Sequence, residues 1–336
     1  MRRLLLLPVI LLAAACGDGR LPQIDLVGEA LGTTFKVSVV EPAASLDTAA
    51  LETDILAALA RVDALASTWR DDSEQAVLNA ADTTDWVDVS ATFCAALADS
   101  WAVSRASGGA FDATIGPLVN LWGFGPNGRV VVPPDEAAVA DAMQHVGYDK
   151  LELDCDNARV RKSDARLFVD LSGWAKGYAV DEVAELLADQ QLVNFLVEVG
   201  GDMRVSGHNS EARKWAVAIE APSTSQRAPQ SIIRITDTGI ATSGDYRNYF
   251  EYDGVTYSHT IDPRTGRPVT HDLAAVTVLQ ASSAFADAMA TALLVLGPDD
   301  GPELAENLGI AAYFLVRAES GIEEITTNAF EAVLDL

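Results

Sequence analysis

Apolar positions recur along this chain at two periods. In "LDTAALETDILAALARVDALAS" (46–67) they return every three to four residues, which reads as a long amphipathic helix. The same spacing predicts helices over about 90–107, ending at "SGG", over 135–146, and in "DEVAELLADQQL" (181–192). Elsewhere the period falls to two. "GEALGTTFKVSVVEP" (28–42) alternates Phe35, Val37 and Val39 and reads as a strand. "LELD" (151–154) and "RVRK" (159–162) read as a hairpin. Strands are also expected in "NFLVEVGGDMRVSG", with a glycine break, and in "KWAVAIEAP", "QSIIRITDTGIATSG", "LAAVTVLQ" and "AAYFLVRA". "VTYSHTIDPRTGRPV" (255–269) is a strand that runs into a Pro/Gly turn. No repeat, low-complexity run or long linker interrupts the pattern. Strands and helices alternate irregularly, so the expected fold class is α+β, with residues 28–336 folding as one unit.

The first residues break this pattern. Arg2 and Arg3 precede an apolar run over residues 4–15. That run is too short for a bilayer, which takes about 20 residues, and has the form of an export signal. "LAAAC" then ends at Cys16 and resembles the lipobox of bacterial lipoproteins, although Ala13 stands where leucine is usual and Leu12 lies one step further out. The expectation is a leader over 1–15, lipid attachment at Cys16 and a polar tether over 16–27. The chain would then be exported and anchored to the membrane by its lipid, facing the periplasm. Cleavage would leave 336 − 15 = 321 residues. An exported chain could pair the two remaining cysteines, but Cys94 and Cys155 carry no motif that joins them and are expected to stay unpaired. No CxxC or Cys/His cluster suggests structural zinc.

Charge narrows the partners. The chain holds 23 Lys and Arg against 49 Asp and Glu, a net charge of −26. Nothing neutralises phosphate on a broad scale, so no nucleic-acid partner is expected. An anionic ligand would have to be held locally, by a metal or by backbone N–H groups. "GFGPNG" (123–128) fits G-x-G-x-x-G, but a turn at Pro126-Asn127-Gly128 replaces the helix that a dinucleotide fingerprint requires.

Four stretches could carry chemistry. In "DLSGWAKGYAVDEVAELL" (170–187), a strand ends in Asp170 and a helix is expected from about Ala175. Gly173 and Gly177 would bring backbone close to something, and Lys176 stands near a helix start that could hold phosphate. A tight turn with a solvated lysine explains the same residues. In "FDATIGPLVNLWGFGP" (111–126), Asp112 could cap a helix or accept from a ligand amide, and Phe111 and Trp122 could be core or stacking groups. His259, beside Ser258 and Asp262, could take a proton from a hydroxyl or be bonded within a turn. The other histidines, His145, His208 and His271, lie in helix or loop contexts with nothing evident around them. In "DAMATALLVLG" (287–297), Asp287 and Thr291 lie one helical turn apart, about 40° around the axis. Two such oxygens suit a small hard cation such as Mg²⁺. They also suit an acid favoured by the helix dipole and a threonine bonded back into its helix.

Taken together, "LGTTFKVSV", "STWRDDSEQAVLN", "FDATIGPLVNLWGFGP", "DLSGWAKGYAVDEV", "VEVGGDMRVSG", "ATSGDYRNYF", "YSHTIDPRTGRPV" and "ADAMATALLVLG" resemble the FAD:protein FMN transferase family, often called ApbE. They occur in family order over about residues 28–297. The resemblance implies mixed sheets with packed helices and an FAD cleft between substructures. It implies FAD as substrate with Mg²⁺, transfer of FMN to a Thr or Ser hydroxyl of an exported acceptor protein, and release of AMP. The acceptor would carry a motif like [DE]-x-x-[ST]-G-A-T. Some members instead hydrolyse FAD to FMN and AMP, and a non-catalytic FAD-binding lipoprotein is a third reading. By resemblance, Asp287, Thr291 and the Gly173 carbonyl would hold the metal. Leu31, Trp69, Ala110, Phe111, Asp112, Asp170, Lys176 and Ile261 would contact FAD, and His259 would activate the acceptor hydroxyl. Leu31 departs from the usual Met, Trp69 from the commoner Tyr, and Ala290 from an acidic residue that some members carry.

Overall fold

The computed structural model describes residues 19–126, 128–222 and 228–335. The export leader, Cys16 and the first tether residues lie outside the described residues. An eight-stranded, wholly antiparallel sheet forms the centre. Its order is Gln23–Ala30, Thr33–Val40, Phe195–Val199, Asp202–Ser206, Thr238–Gly244, Leu273–Gln280, Ala311–Ala318 and Gly321–Thr326. The α+β expectation holds. The tether is shorter than expected, because Gln23 to Val27 already pair with Val40 to Lys36 in the first ladder. Ile24 and Leu26 pack against the core there, an alternation too brief to read between polar neighbours.

The run "LAAVTVLQ" is apolar on both faces because Leu273–Gln280 is covered on both sides. The helices Thr48–Ala66 and Ser172–Asp189 cover one part of the sheet, with Ile55, Leu59, Val183 and Leu187 packed on Val37, Val39 and Val197. A separate hairpin, Trp215–Glu220 with Pro229–Ile235, and the terminal helix Asn328–Asp335 form a second cluster around Trp215, Tyr313 and Phe330. The helix Ser283–Leu308 supplies a third, through Ala286, Met289, Ala290 and Leu293.

Three details differ from the sequence pattern. The helix expected from Ala175 begins at Ser172, because Asp170 accepts the Ser172 N–H at 2.9 Å and starts the first turn early. The Ser283–Leu308 helix does not stop at Gly297 but breaks there (φ 86°, ψ −172°), and Pro298 and Pro302 lie just beyond the break. A leftward φ favours glycine, and proline fits a first turn. Finally, Cys94 and Cys155 are joined, with Cα atoms 5.5 Å apart. The expectation that they stay unpaired is wrong. The Ala91–Ala106 helix packs on the small sheet of Trp86–Asp88, Leu151–Asp154 and Arg159–Lys162, and this brings together residues 61 positions apart. Among the described residues, no helix is long and apolar enough to cross a membrane.

Candidate active site

The helices Ser172–Asp189 and Ser283–Leu308 cross almost backbone to backbone. A methyl group on Gly177 would fall 2.1 Å from the Ser283 carbonyl oxygen, so only glycine permits this approach. Asp181, four positions further along the same face, locks the crossing. Its carboxylate accepts the N–H groups of Ser283 and Ala284, both at 3.0 Å, and the Ser282 hydroxyl at 2.9 Å, and it pairs with Arg204 at 2.9 Å. Free N–H groups at the start of the Ser283 helix are thereby satisfied from a neighbouring helix.

This crossing sets Asp287 over the first turns of the Ser172 helix. Its buried carboxylate accepts the Gly177 N–H at 3.2 Å and lies 3.1 and 3.0 Å from Lys176 Nζ. One turn on, the Thr291 hydroxyl shares a hydrogen bond of 2.9 Å with Ser243. A Cβ on Gly173 would lie 3.5 Å from Thr291 Oγ1 and 3.1 Å from the Phe111 ring. Lys176 is therefore not a solvated lysine. It bridges Asp287 and Asp202, whose Oδ2 lies 2.9 Å from Nζ. Burial alone would lower the lysine's pKa, but the two carboxylates outweigh it and raise the value, so the ammonium stays charged. Burial, and then the charge of Asp287, push Asp202 upwards against the pull of Lys176.

These groups open into a cavity of about 840 Å³. Of the residues singled out from the sequence, Trp69, Ala110, Phe111, Asp112, Asp170, Gly173, Lys176, His259, Ile261, Asp287 and Thr291 all line it. Leu31 does not. It occupies the turn between the first two strands with φ 54° and packs against the core, while Thr33 and Thr34 face the cavity from that hairpin. Asp202 does not line the cavity but pairs with Lys176, which does, and the sequence pattern did not single it out. Its ion pair with Lys176 spans 26 positions, so no local spacing marks it.

The aromatic and acidic positions divide. Trp122 is core, stacked on Tyr257 with its indole N–H on the Gly266 carbonyl at 2.9 Å. Trp69 is 73% exposed at the cavity wall and keeps a free face. Asp112 does local work, accepting the Thr114 N–H and hydroxyl at 2.7 Å and the Tyr148 N–H at 2.8 Å. It thus ties the turn after Phe111 to Tyr148, while Ser107 accepts the Ala110 and Phe111 N–H groups. Burial raises the pKa of both Asp112 and Asp170.

His259 follows the Val255–Ser258 strand. Its Nδ1 lies 3.1 Å from the Asn248 carbonyl, which can only accept, so Nδ1 carries the proton and Nε2 keeps a free lone pair. Burial, with a smaller contribution from the Lys176 charge, holds its pKa below the ordinary value. A neutral imidazole is the form that can take a proton. The other histidines do have neighbours: His145 bonds to Asp164, His208 to the Asn209 carbonyl, and His271 packs on Gly297.

The donor set suits a small hard cation: a carboxylate, two hydroxyls and the backbone of a helical first turn. No cluster of three or more His, Cys, Asp or Glu poised for a metal occurs among the described residues, so a cation here would depend on hydroxyl, carbonyl and ligand oxygens as well.

The fold recurs in known proteins. Residues 31–314 match the family model for the ApbE family, and the chain belongs to that family. It is 39% identical over 331 residues to a FAD:protein FMN transferase of Vibrio cholerae, covering 98% of each chain. It is 38% identical over 317 residues to one from Haemophilus influenzae, covering 93% of this chain and 92% of the other. The solved flavin transferase ApbE from Vibrio cholerae superposes with a TM-score of 0.87 at 38% identity, over 94% of this chain and 100% of the other. The Pseudomonas stutzeri flavinyl transferase ApbE, in its apo form, gives 0.86 at 38% identity.

Proposed function

We propose that the chain is an Mg²⁺-dependent FAD:protein FMN transferase, exported and lipid-anchored through Cys16. The observation that carries the reading is one cavity that gathers a phosphate-compatible ammonium, hard oxygen donors and a neutral histidine, in a family whose relatives bear that name.

In this reading Asp287, Thr291 and the Gly173 carbonyl would hold the metal, which would supply charge neutralisation at the FAD diphosphate. Trp69 and Ile261 would bound the ring system, and the segment Ala110–Asp112 would shape the nucleotide side. Phosphoryl transfer asks a protein mainly for position and charge. Lys176 would face the same diphosphate. A Thr or Ser hydroxyl of the acceptor loses its proton to His259 Nε2 as its oxygen bonds to the FMN phosphorus. The bond from that phosphorus to the bridging oxygen breaks, and AMP leaves with the electron pair. The products are a phosphoester-linked FMN and AMP.

The Cys94–Cys155 disulfide supports an oxidising compartment, and the acidic surface would leave anion binding to the cavity alone. Incubation with FAD and Mg²⁺, with and without an acceptor bearing a [DE]-x-x-[ST]-G-A-T motif, tests the reading by chromatography. Transfer predicts AMP release that depends on the acceptor. Rapid free FMN without it would mean a pyrophosphatase, and intact FAD under both conditions a carrier.

A further inference from the structure

Lys176 is shared by two buried carboxylates. Asp202 is 1% exposed and Asp287 3%. The position of Asp202 is fixed by backbone. It opens the Asp202–Ser206 strand directly after Gly200 and Gly201, which turn the chain at φ 60° and 103°. Its Oδ1 accepts the Thr242 N–H at 3.2 Å from the adjacent strand. Its Oδ2 has the Lys176 ammonium at 2.9 Å and no other polar partner among the described residues. A buried carboxylate oxygen left with a single ionic partner is costly, and this one is aimed at the residue that also occupies Asp287.

We propose that Asp202 is a positioning residue that gives Lys176 a second seat and so frees Asp287 for the cation. The proposal rests on the reading of Asp287 and Thr291 as the cation site. Two carboxylates and one ammonium carry −1 −1 +1 = −1 in formal charge. A dication and an ammonium cannot both sit on the Asp287 oxygens, because like charges repel strongly in a partly desolvated site. Asp202, held by the sheet, lets the ammonium leave Asp287 without leaving the cavity. The group then carries −1 +2 = +1, and both cations face the ligand's diphosphate. With Asn at 202, Lys176 has only Asp287 as a partner, and the incoming ion must displace it with no alternative seat.

The test measures Mn²⁺ binding without FAD, by electron paramagnetic resonance of the free ion. Wild type, Asp202→Asn, Lys176→Met, the double variant and Asp287→Asn are compared. Asn keeps the oxygen that accepts from Thr242, so the fold of Asp202→Asn is preserved locally. Asp202→Asn is expected to weaken Mn²⁺ binding by about tenfold or more, and Lys176→Met to tighten it. The double variant, again −1 in formal charge, is expected within about threefold of wild type. Wild-type affinity in Asp202→Asn overturns the role of Asp202 and leaves the cation site standing. A double variant as weak as Asp202→Asn shows a merely structural residue and also overturns it. Mn²⁺ binding that Asp287→Asn does not change overturns the cation reading, and this proposal with it.

Discussion

At the scale of single residues, His259 joins structure to chemistry most simply. With Nδ1–H held by Asn248, Nε2 is the only basic atom it can offer. His259→Ala should leave FAD binding intact and lower transfer by about 10²–10⁴-fold, as read by fluorescence titration of FAD beside acceptor labelling. The pH dependence has a definite sign. Burial and the Lys176 charge lower the folded pKa, so the acid limb of transfer should lie below the ordinary histidine value of about 6.5. For stability, the unfolded chain binds this proton more readily. The native state therefore loses stability as pH falls through about 6.5 and is unaffected above it. A limb at or above 6.5, or one retained in His259→Ala, would contradict the assignment. Legibility at this scale depended on local spacing. Asp287 and Thr291 declared themselves by one helical turn, and His259 by its polar setting at a strand end. Asp202 and Ser243 did not, because each reaches from a strand to a partner on a helix distant in sequence.

At the scale of elements, the crossing of the Ser172 and Ser283 helices sets the site. Gly177 was legible as a close approach, but its partner, the Ser283 backbone, lies 106 positions away (283 − 177) and could not be named. Gly177→Ala forces a methyl group onto a carbonyl and should cost at least about 2 kcal/mol. Asp181→Ala leaves three donors and Arg204 without their acceptor and should cost about 2–4 kcal/mol. Urea titration measures both. Neither substituted side chain lines the cavity, so the surviving folded fraction of Asp181→Ala should still bind FAD. The helix boundaries were misread for a related reason. The helix was expected from about Ala175, but the Asp170 side chain accepts the Ser172 N–H and the helix begins there.

At the scale of the whole molecule, hydrophobic period gave most strands of the sheet but not their order. The second strand pairs with Phe195–Val199, more than 150 positions on, and only tertiary packing decides such a partner. The disulfide belongs to the same class. It ties the Ala91 helix to the small sheet, two of whose strands follow Tyr148, whose N–H holds Asp112. Closing a loop across 61 positions restricts the unfolded chain, and losing it should cost roughly 4 kcal/mol. Cys94→Ala with Cys155→Ala, or reduction of the native enzyme, should lower the melting temperature by similar amounts. No change on reduction would show the bond absent in solution.

The central claim is that this molecule moves FMN onto a protein hydroxyl, and intact-mass spectrometry of the acceptor tests it most directly. Purified enzyme, FAD, Mg²⁺ and an acceptor bearing the threonine motif should yield one added FMN moiety on one threonine, with AMP formed in equal amount, and Asp287→Ala should yield neither. An acceptor that stays unmodified while FAD is consumed, or labelling that persists undiminished in Asp287→Ala, would contradict the account.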